Sequence, residues 1–317
     1  MSDFKNIPSI DLADFNSGNP QLKTQFVNQL GEAYETIGFV AVKNHGLSDE
    51  LCTNLYSEVK GFFSLSEKEK RAYEIEGLGG QRGYVSFGKE HAKNKNEGDL
   101  KEFWHFGQTV TDGDSIKNQY PDNVNVNELV NFNTIGVEVY EKLEIAGRDI
   151  LRAIALYLGL EENYFDAKIH NGNSILRPIH YPPITSEPKN AVRAAEHEDI
   201  NLITLLMGAS ADGLQVLNKN NKWISVTALP EQIVVNVGDM LQRLTNNKLK
   251  STTHRVINPP KEKWGTSRFS IPFFLHPRSE VSLECLESCV STQNPKHYTD
   301  ITAGAYLEER IKELGLK

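Results

Sequence analysis

Residues 196–207, Glu196-His197-Glu198-Asp199-Ile200-Asn201-Leu202-Ile203-Thr204-Leu205-Leu206-Met207, join a polar tetrapeptide to an apolar run. In an extended chain residues i and i+2 point to the same face. His197 and Asp199 can therefore converge on one ion, while Glu198, though nearer in sequence, points away. The apolar part, residues 200–207, reads as a strand. A His-x-Asp pair alone also fits a solvated strand end, so its surroundings decide.

Outward from this stretch the period is two from about residue 173. Further strand candidates are 174–181, 214–217, 223–225, 233–237, 251–256, 269–275 and 281–285. Turn residues separate them: Asp212-Gly213, residues 218–221, Gly238-Asp239, Asn246-Asn247, Pro259-Pro260 and Pro277. About eight short, closely spaced strands predict a double-sheet jelly roll.

Upstream the signals are mainly helical. A short strand at 7–12 precedes a helix marked by Leu22, Phe26, Leu30, Tyr34 and Ile37 and closed by Gly38. A strand at 39–42 and a turn at Asn44-His45-Gly46 follow. Ser48 caps a helix that buries Leu51, Leu55, Val59 and Phe62, and Ser66 with Glu69 forms a capping box. Residues 78–123 read as loops with few regular elements. A long helix over 127–158 carries one apolar stripe and stops at Gly159; the tail, 303–316, is helical. The expected architecture is one compact α+β unit. It has an N-terminal helical and loop region (1–125), a supporting helix (126–172), a β core (173–285) and a C-terminal helix (286–317).

Chemistry concentrates in the β core. His254 lies in Ser251-Thr252-Thr253-His254-Arg255-Val256. Two histidines and a carboxylate can form a facial triad, leaving three positions open on an octahedral iron(II). Arg268-Phe269-Ser270 puts a guanidinium and a hydroxyl on one face, able to clamp a carboxylate. The apolar run 271–275 makes that strand central. Arg177, Ile179 and Tyr181 share a face by the same period, so Tyr181 can donate to the carboxylate held by Arg268; His180 faces the other way. Phe274, in phase with Ser270, lines the pocket or packs in the core. Glu102, Phe103, Trp104 and His105 fall in the long loop and contact substrate or pack onto the scaffold. Asn236 and Asp239 read as turn formers.

The ordered set Tyr181-Pro182, His197-x-Asp199, Gly213-Leu214-Gln215-Val216, Asn236-x-Gly238-Asp239, His254-Arg255 and Arg268-x-Ser270 resembles the isopenicillin N synthase-like family of 2-oxoglutarate/iron(II) oxygenases. Ile7-Pro8-x-Ile10-Asp11 and Gly38-Phe39-x-x-Val42-x-Asn44-His45-Gly46 resemble its N-terminal region. The resemblance implies a distorted double-stranded β-helix, which is a jelly roll, with iron(II) at His197, Asp199 and His254. It also implies that Arg268 and Ser270, helped by Tyr181, hold the distal carboxylate of 2-oxoglutarate. No catalytic side chain beyond the metal ligands is expected. O2 and 2-oxoglutarate would be consumed to oxidise, typically hydroxylate, a small molecule, releasing succinate and CO2. One departure is Ile179, where plant members carry Asn; Arg177 is the candidate to compensate. Arg177, Phe103, Trp104 and Phe274 are the candidate substrate contacts.

Three other readings compete. A family oxidase would use iron(II) and O2 without 2-oxoglutarate, its Arg and Ser holding a substrate carboxylate. A jelly-roll binding module would have no turnover. A zinc hydrolase would leave Arg268 and Ser270 without a role. The prime substrate is set by the 78–123 segment, the pocket shape and the C-terminal helix.

Composition sets the remaining limits. The net charge of -8, with no basic cluster, argues against a nucleic-acid partner. Cys52, Cys285 and Cys289 are too few for a disulfide framework and fit a reducing compartment. No basic-then-apolar leader follows Ser2-Asp3-Phe4-Lys5, and no apolar run has membrane-spanning length. A cytoplasmic, soluble enzyme acting on a small molecule is expected.

Overall fold

The computed structural model describes residues 7–78, 80–90, 98–114, 116–117, 119–188, 191–208, 213–226, 229 and 231–313. Asp212, the residues at 2–5 and the end of the tail helix at 314–316 lie outside the described residues.

The chain opens with β1 (Ser9–Asp11), α1 (Leu12–Asn16), α2 (Pro20–Thr36), β2 (Phe39–Lys43), α3 (Asp49–Phe63) and α4 (Glu67–Arg71). Local signals set these boundaries. Asn19 caps α2 by accepting from the Gln21 N–H at 2.9 Å, with Pro20 at the first helical position. Gly38 ends it at φ +73°, where an added Cβ would lie 2.1 Å from the Lys250 carbonyl oxygen. Ser48 caps α3, and the Ser66–Glu69 capping box starts α4.

Then come β3 (Gly83–Val85), β4 (Glu102–Gly107), α5 (Phe132–Tyr157), α6 (Asp166–Ile169), β5 (Ile175–Leu176), β6 (Ile179–Tyr181), β7 (Ala194–His197) and β8 (Ile203–Met207). The last elements are β9 (Leu214–Leu217), β10 (Trp223–Ser225), β11 (Ile233–Val237), α7 (Asp239–Leu244), β12 (His254–Val256), β13 (Arg268–Leu275) and α8 (Ala303–Glu313).

The strands form two sheets. The larger runs β1-β2-β11-β8-β13-β5-β4-β3, with β6 pairing both β13 and β4; the smaller runs β10-β9-β12-β7. This is the expected jelly roll with its helical support. Helix α5 packs against α2, α3 and the outer face of the larger sheet, and buries Val139, Leu143, Ile150 and Ile154 there. The other face of that sheet looks toward the smaller sheet and the site.

Four details differ from the sequence reading. The 78–123 segment is not simply loop: it supplies β3 and the fully buried β4. β4 has a polar residue on each face, Glu102 and His105, so no alternation announces it. The 174–181 strand is broken between β5 and β6, where the Arg177 N–H turns to the Pro272 carbonyl. Residues 281–285 make no strand; Ser282 forms only an isolated bridge to Thr302. The long helix starts at Phe132 rather than 127, because Asn133 turns its side chain back to accept from the Val126 N–H.

Candidate active site

Three side chains meet between the sheets. His254 on β12 sits directly across from His197 on β7, and their rings lie 4.3 Å apart. Strand β7 ends at His197, so Asp199 reaches the site from the irregular segment between β7 and β8, not from the strand that the i, i+2 argument assumed. Its Oδ1 is 4.0 Å from His197 Nε2 and 3.8 Å from His254 Nε2. The three atoms lie within 4.8 Å of one another, close enough to hold one ion.

Backbone carbonyls orient both rings. His197 Nδ1 lies 2.7 Å from the Ala195 oxygen and His254 Nδ1 3.1 Å from the Thr252 oxygen. A carbonyl only accepts, so each Nδ1 carries the proton and each Nε2 offers a lone pair inward. Asp199 Oδ2 accepts from Thr204 Oγ1 at 2.6 Å and from Asn236 Nδ2 at 2.8 Å. Burial opposes ionisation of Asp199, but the His254 and His197 rings and these two hydrogen bonds outweigh it and hold the carboxyl below its ordinary range. Burial, with the neighbouring His254, pushes His197 down to about 4.

Asn236, expected to form a turn, is instead the last buried polar residue of β11 and orients the Asp199 carboxylate. Asp239, also read as a turn former, begins α7; its N–H donates to the Asp199 carbonyl and its carboxylate accepts from Tyr306 of α8.

The facing wall belongs to β13 and β6. Arg268 is 1% exposed and donates to Ser270 Oγ at 3.2 Å, while Phe269 stacks on His180 on the opposite face. Tyr181 pairs across from Arg268, whose guanidinium lies 4.9 Å from the tyrosine ring. Ile179 pairs across from Ser270, an apolar patch in an otherwise polar corner. His180 bonds Glu102 at 2.7 Å and Ser267 at 3.0 Å, away from the site, as its phase predicted.

Arg268, Ser270, Ile179 and Tyr181 line one cavity of about 450 Å³ together with His197, Asp199 and His254. Phe274 and Arg177 line it too, the guanidinium lying 5.0 Å from the Phe274 ring and 4.4 Å from that of Phe103. Phe103 is buried behind Arg177 and does not line the cavity. Trp104 does not line it either. It is 0% exposed in an aromatic cluster with Phe62, Tyr73, Phe106 and Phe132, because residues of β4 alternate and Trp104 faces the helices. The C-terminal helix supplies Leu307, Arg310 and Ile311 to the cavity wall.

Sequence reasoning missed a buried charged cluster on the same wall. Lys101 Nζ lies 2.6 Å from Glu90 and 2.9 Å from Asp99, and Arg177 lies 3.3 Å from Glu90. Burial opposes the charge on Glu90, but Lys101 and Arg177 overcome it and hold the carboxylate ionised. Nothing local announced this cluster. His276 was also missed, although it is in phase with Ser270, Pro272 and Phe274 and lines the cavity.

The chain matches two family models: "non-haem dioxygenase in morphine synthesis N-terminal" over residues 7–128 and "2OG-Fe(II) oxygenase superfamily" over residues 172–277. It is 31% identical over 316 residues to the 2-oxoglutarate-Fe(II) type oxidoreductase hxnY of Emericella nidulans, spanning 94% of this chain and 89% of that protein. A Caulobacter crescentus protein assigned to the 2OG-Fe(II) oxygenase family superposes with TM-score 0.87 at 39% identity, covering 97% of this chain and 98% of the other. A full-length Neurospora crassa protein, solved in complex with alpha-KG and thymine, superposes with TM-score 0.84 at 29% identity, covering 98% of each chain.

Proposed function

The chain belongs to the 2OG-Fe(II) oxygenase superfamily, and from that premise we propose that it hydroxylates a small neutral molecule. In this reading His197, Asp199 and His254 hold the iron, and Arg268 and Ser270 hold the distal carboxylate of 2-oxoglutarate. The observation that carries the reading is the convergence of two Nε2 lone pairs and Asp199 Oδ1 within 4.8 Å, with Arg268 and Ser270 on the facing wall. That donor set, two imidazoles and one carboxylate, suits iron(II) and leaves room for a cosubstrate.

When bound, iron(II) and 2-oxoglutarate supply the oxidising chemistry: O2, 2-oxoglutarate and a C–H bond give succinate, CO2 and a C–OH. The protein's part is positioning. Arg268 offers a planar pair of N–H donors to a carboxylate and Ser270 adds an O–H, in a pocket buried enough to strengthen both. Tyr181 supports the guanidinium through its ring and can add its O–H to the same carboxylate. Thr204 and Asn236 hold Asp199 so that one oxygen stays turned to the histidines. The cavity volume suits a small molecule, and thymine bound to the Neurospora protein supports a neutral ring.

The test is succinate formation from 2-oxoglutarate by iron-loaded protein on exposure to air, with His197→Ala and Arg268→Ala alongside. Succinate from wild type alone is expected. Iron binding without succinate, even with a broad mixture of metabolites, would sink the 2-oxoglutarate role.

A further inference from the structure

Beyond the groups assigned to iron and 2-oxoglutarate, the patch of cavity wall around Arg177 carries charges that are paired with one another. Arg177 and Lys101 face Glu90 and Asp99, so two cations meet two carboxylates. His105 is uncharged: its Nδ1 donates to the Gly80 carbonyl and its Nε2 accepts from Arg177 Nε. A patch whose charges already pair with one another gives an ionic ligand no free partner there as it loses water.

What this patch, on either side of Phe274, offers is one donor and one acceptor. Arg177 uses Nε toward His105 and Nη1 toward Glu90, and among the described residues its Nη2 has no partner. His276 lies two residues beyond Phe274 on the cavity face of β13's strand path and is 6% exposed. Its Nδ1 is 3.2 Å from the Phe274 carbonyl oxygen, so Nδ1 carries the proton and Nε2 is an acceptor. That Nε2 is buried without a hydrogen-bond partner among the described residues. Buried polar atoms are nearly always paired, so an open acceptor in a cavity wall points to a donor on a ligand. The Phe274 ring, under the Arg177 guanidinium at 5.0 Å, links the two positions.

We propose that Arg177 Nη2 and His276 Nε2 recognise the prime substrate, and that this substrate carries a neutral amide or imide. Its carbonyl accepts from Arg177 and its N–H donates to His276. The inference rests on the oxygenase reading above and narrows its substrate class.

The experiment titrates the full chain, loaded anaerobically with iron(II) and 2-oxoglutarate, with 2-piperidone and glutarimide. N-methyl-2-piperidone and δ-valerolactone, which lack the N–H, are the matched controls. Wild type is expected to bind the N–H compounds about tenfold tighter than the controls, the usual effect of leaving a buried acceptor unpaired. His276→Phe removes that preference, and His276→Gln, which keeps an acceptor, restores part of it. Arg177→Met weakens every carbonyl probe, the lactone included. Equal wild-type binding of 2-piperidone and δ-valerolactone overturns the proposal, as does a preference that survives in His276→Phe, or no binding of any probe. Failure of the oxygenase reading shows separately, as absence of succinate from wild-type protein in the assay above.

Discussion

The two oxygens of Asp199 have different tasks. Oδ1 faces His197 and His254, and Oδ2 accepts from Thr204 and Asn236. Removing an orienting partner of a metal ligand typically weakens metal binding about 10–100-fold. Asn236→Leu is therefore expected to lower iron(II) affinity by about that factor in a chelator competition, while exposed Glu198→Ala leaves it unchanged. Equal affinities for Asn236→Leu and wild type would show that Oδ2 needs no such support. Asp199 was legible in the sequence through its i, i+2 relation to His197, although it lies beyond the end of the strand. Asn236 was not, since its partner is 37 positions away and its neighbours Gly238 and Asp239 announce a turn.

Among the elements, β4 shows how strand parity sorts chemistry. Glu102 and Trp104 face the helices, where Glu102 meets Lys70 at 2.6 Å and Trp104 fills the aromatic cluster; His105 faces the cavity. An aromatic deleted from a packed core costs about 3–5 kcal/mol. Trp104→Ala is expected to lose stability in that range by urea unfolding, with KM for 2-oxoglutarate unchanged in the folded fraction. A raised KM with unchanged stability would place Trp104 in the pocket after all. The sequence reading left Glu102, Phe103, Trp104 and His105 in a loop, because both faces of β4 are covered and no alternation marks it.

At the scale of the molecule, burial of neutral histidines makes stability depend on pH. Burial pushes His276 down to about 4 and His105 well below its ordinary value. At these two histidines the unfolded chain then binds more protons between those values and about 6.5, so their contribution to stability is full above 6.5 and falls as pH drops through that window. Between pH 6.5 and 5, His276 alone accounts for roughly 2 kcal/mol, at 1.36 kcal/mol per pH unit. Urea unfolding at pH 7.5 and pH 5 should show the loss, and His276→Phe should reduce it; identical curves at both pH values would contradict neutral burial. Binding links to stability as well. Iron(II) and 2-oxoglutarate at about 100 times their Kd are each expected to add about 2.7 kcal/mol, read as a rise in Tm that His197→Ala abolishes for iron. No helix among the described residues is long and apolar enough to cross a membrane.

The sequence by itself determined which residues share a face and where elements stop. Period two put Arg268 with Ser270 and Arg177 with Tyr181, helical stripes marked α2, α3 and α5, and Ser48, Ser66 and Gly38 marked ends. These are consequences of local backbone geometry, which repeats every few residues. Only the tertiary structure decided which faces meet. The pairing of His254 with His197, the grip of Asn236 on Asp199, the meeting of Arg177 with Glu90 and the closing of the cavity by α8 all join distant segments. Such contacts follow from strand order and from the packing of two sheets, and no local period encodes either.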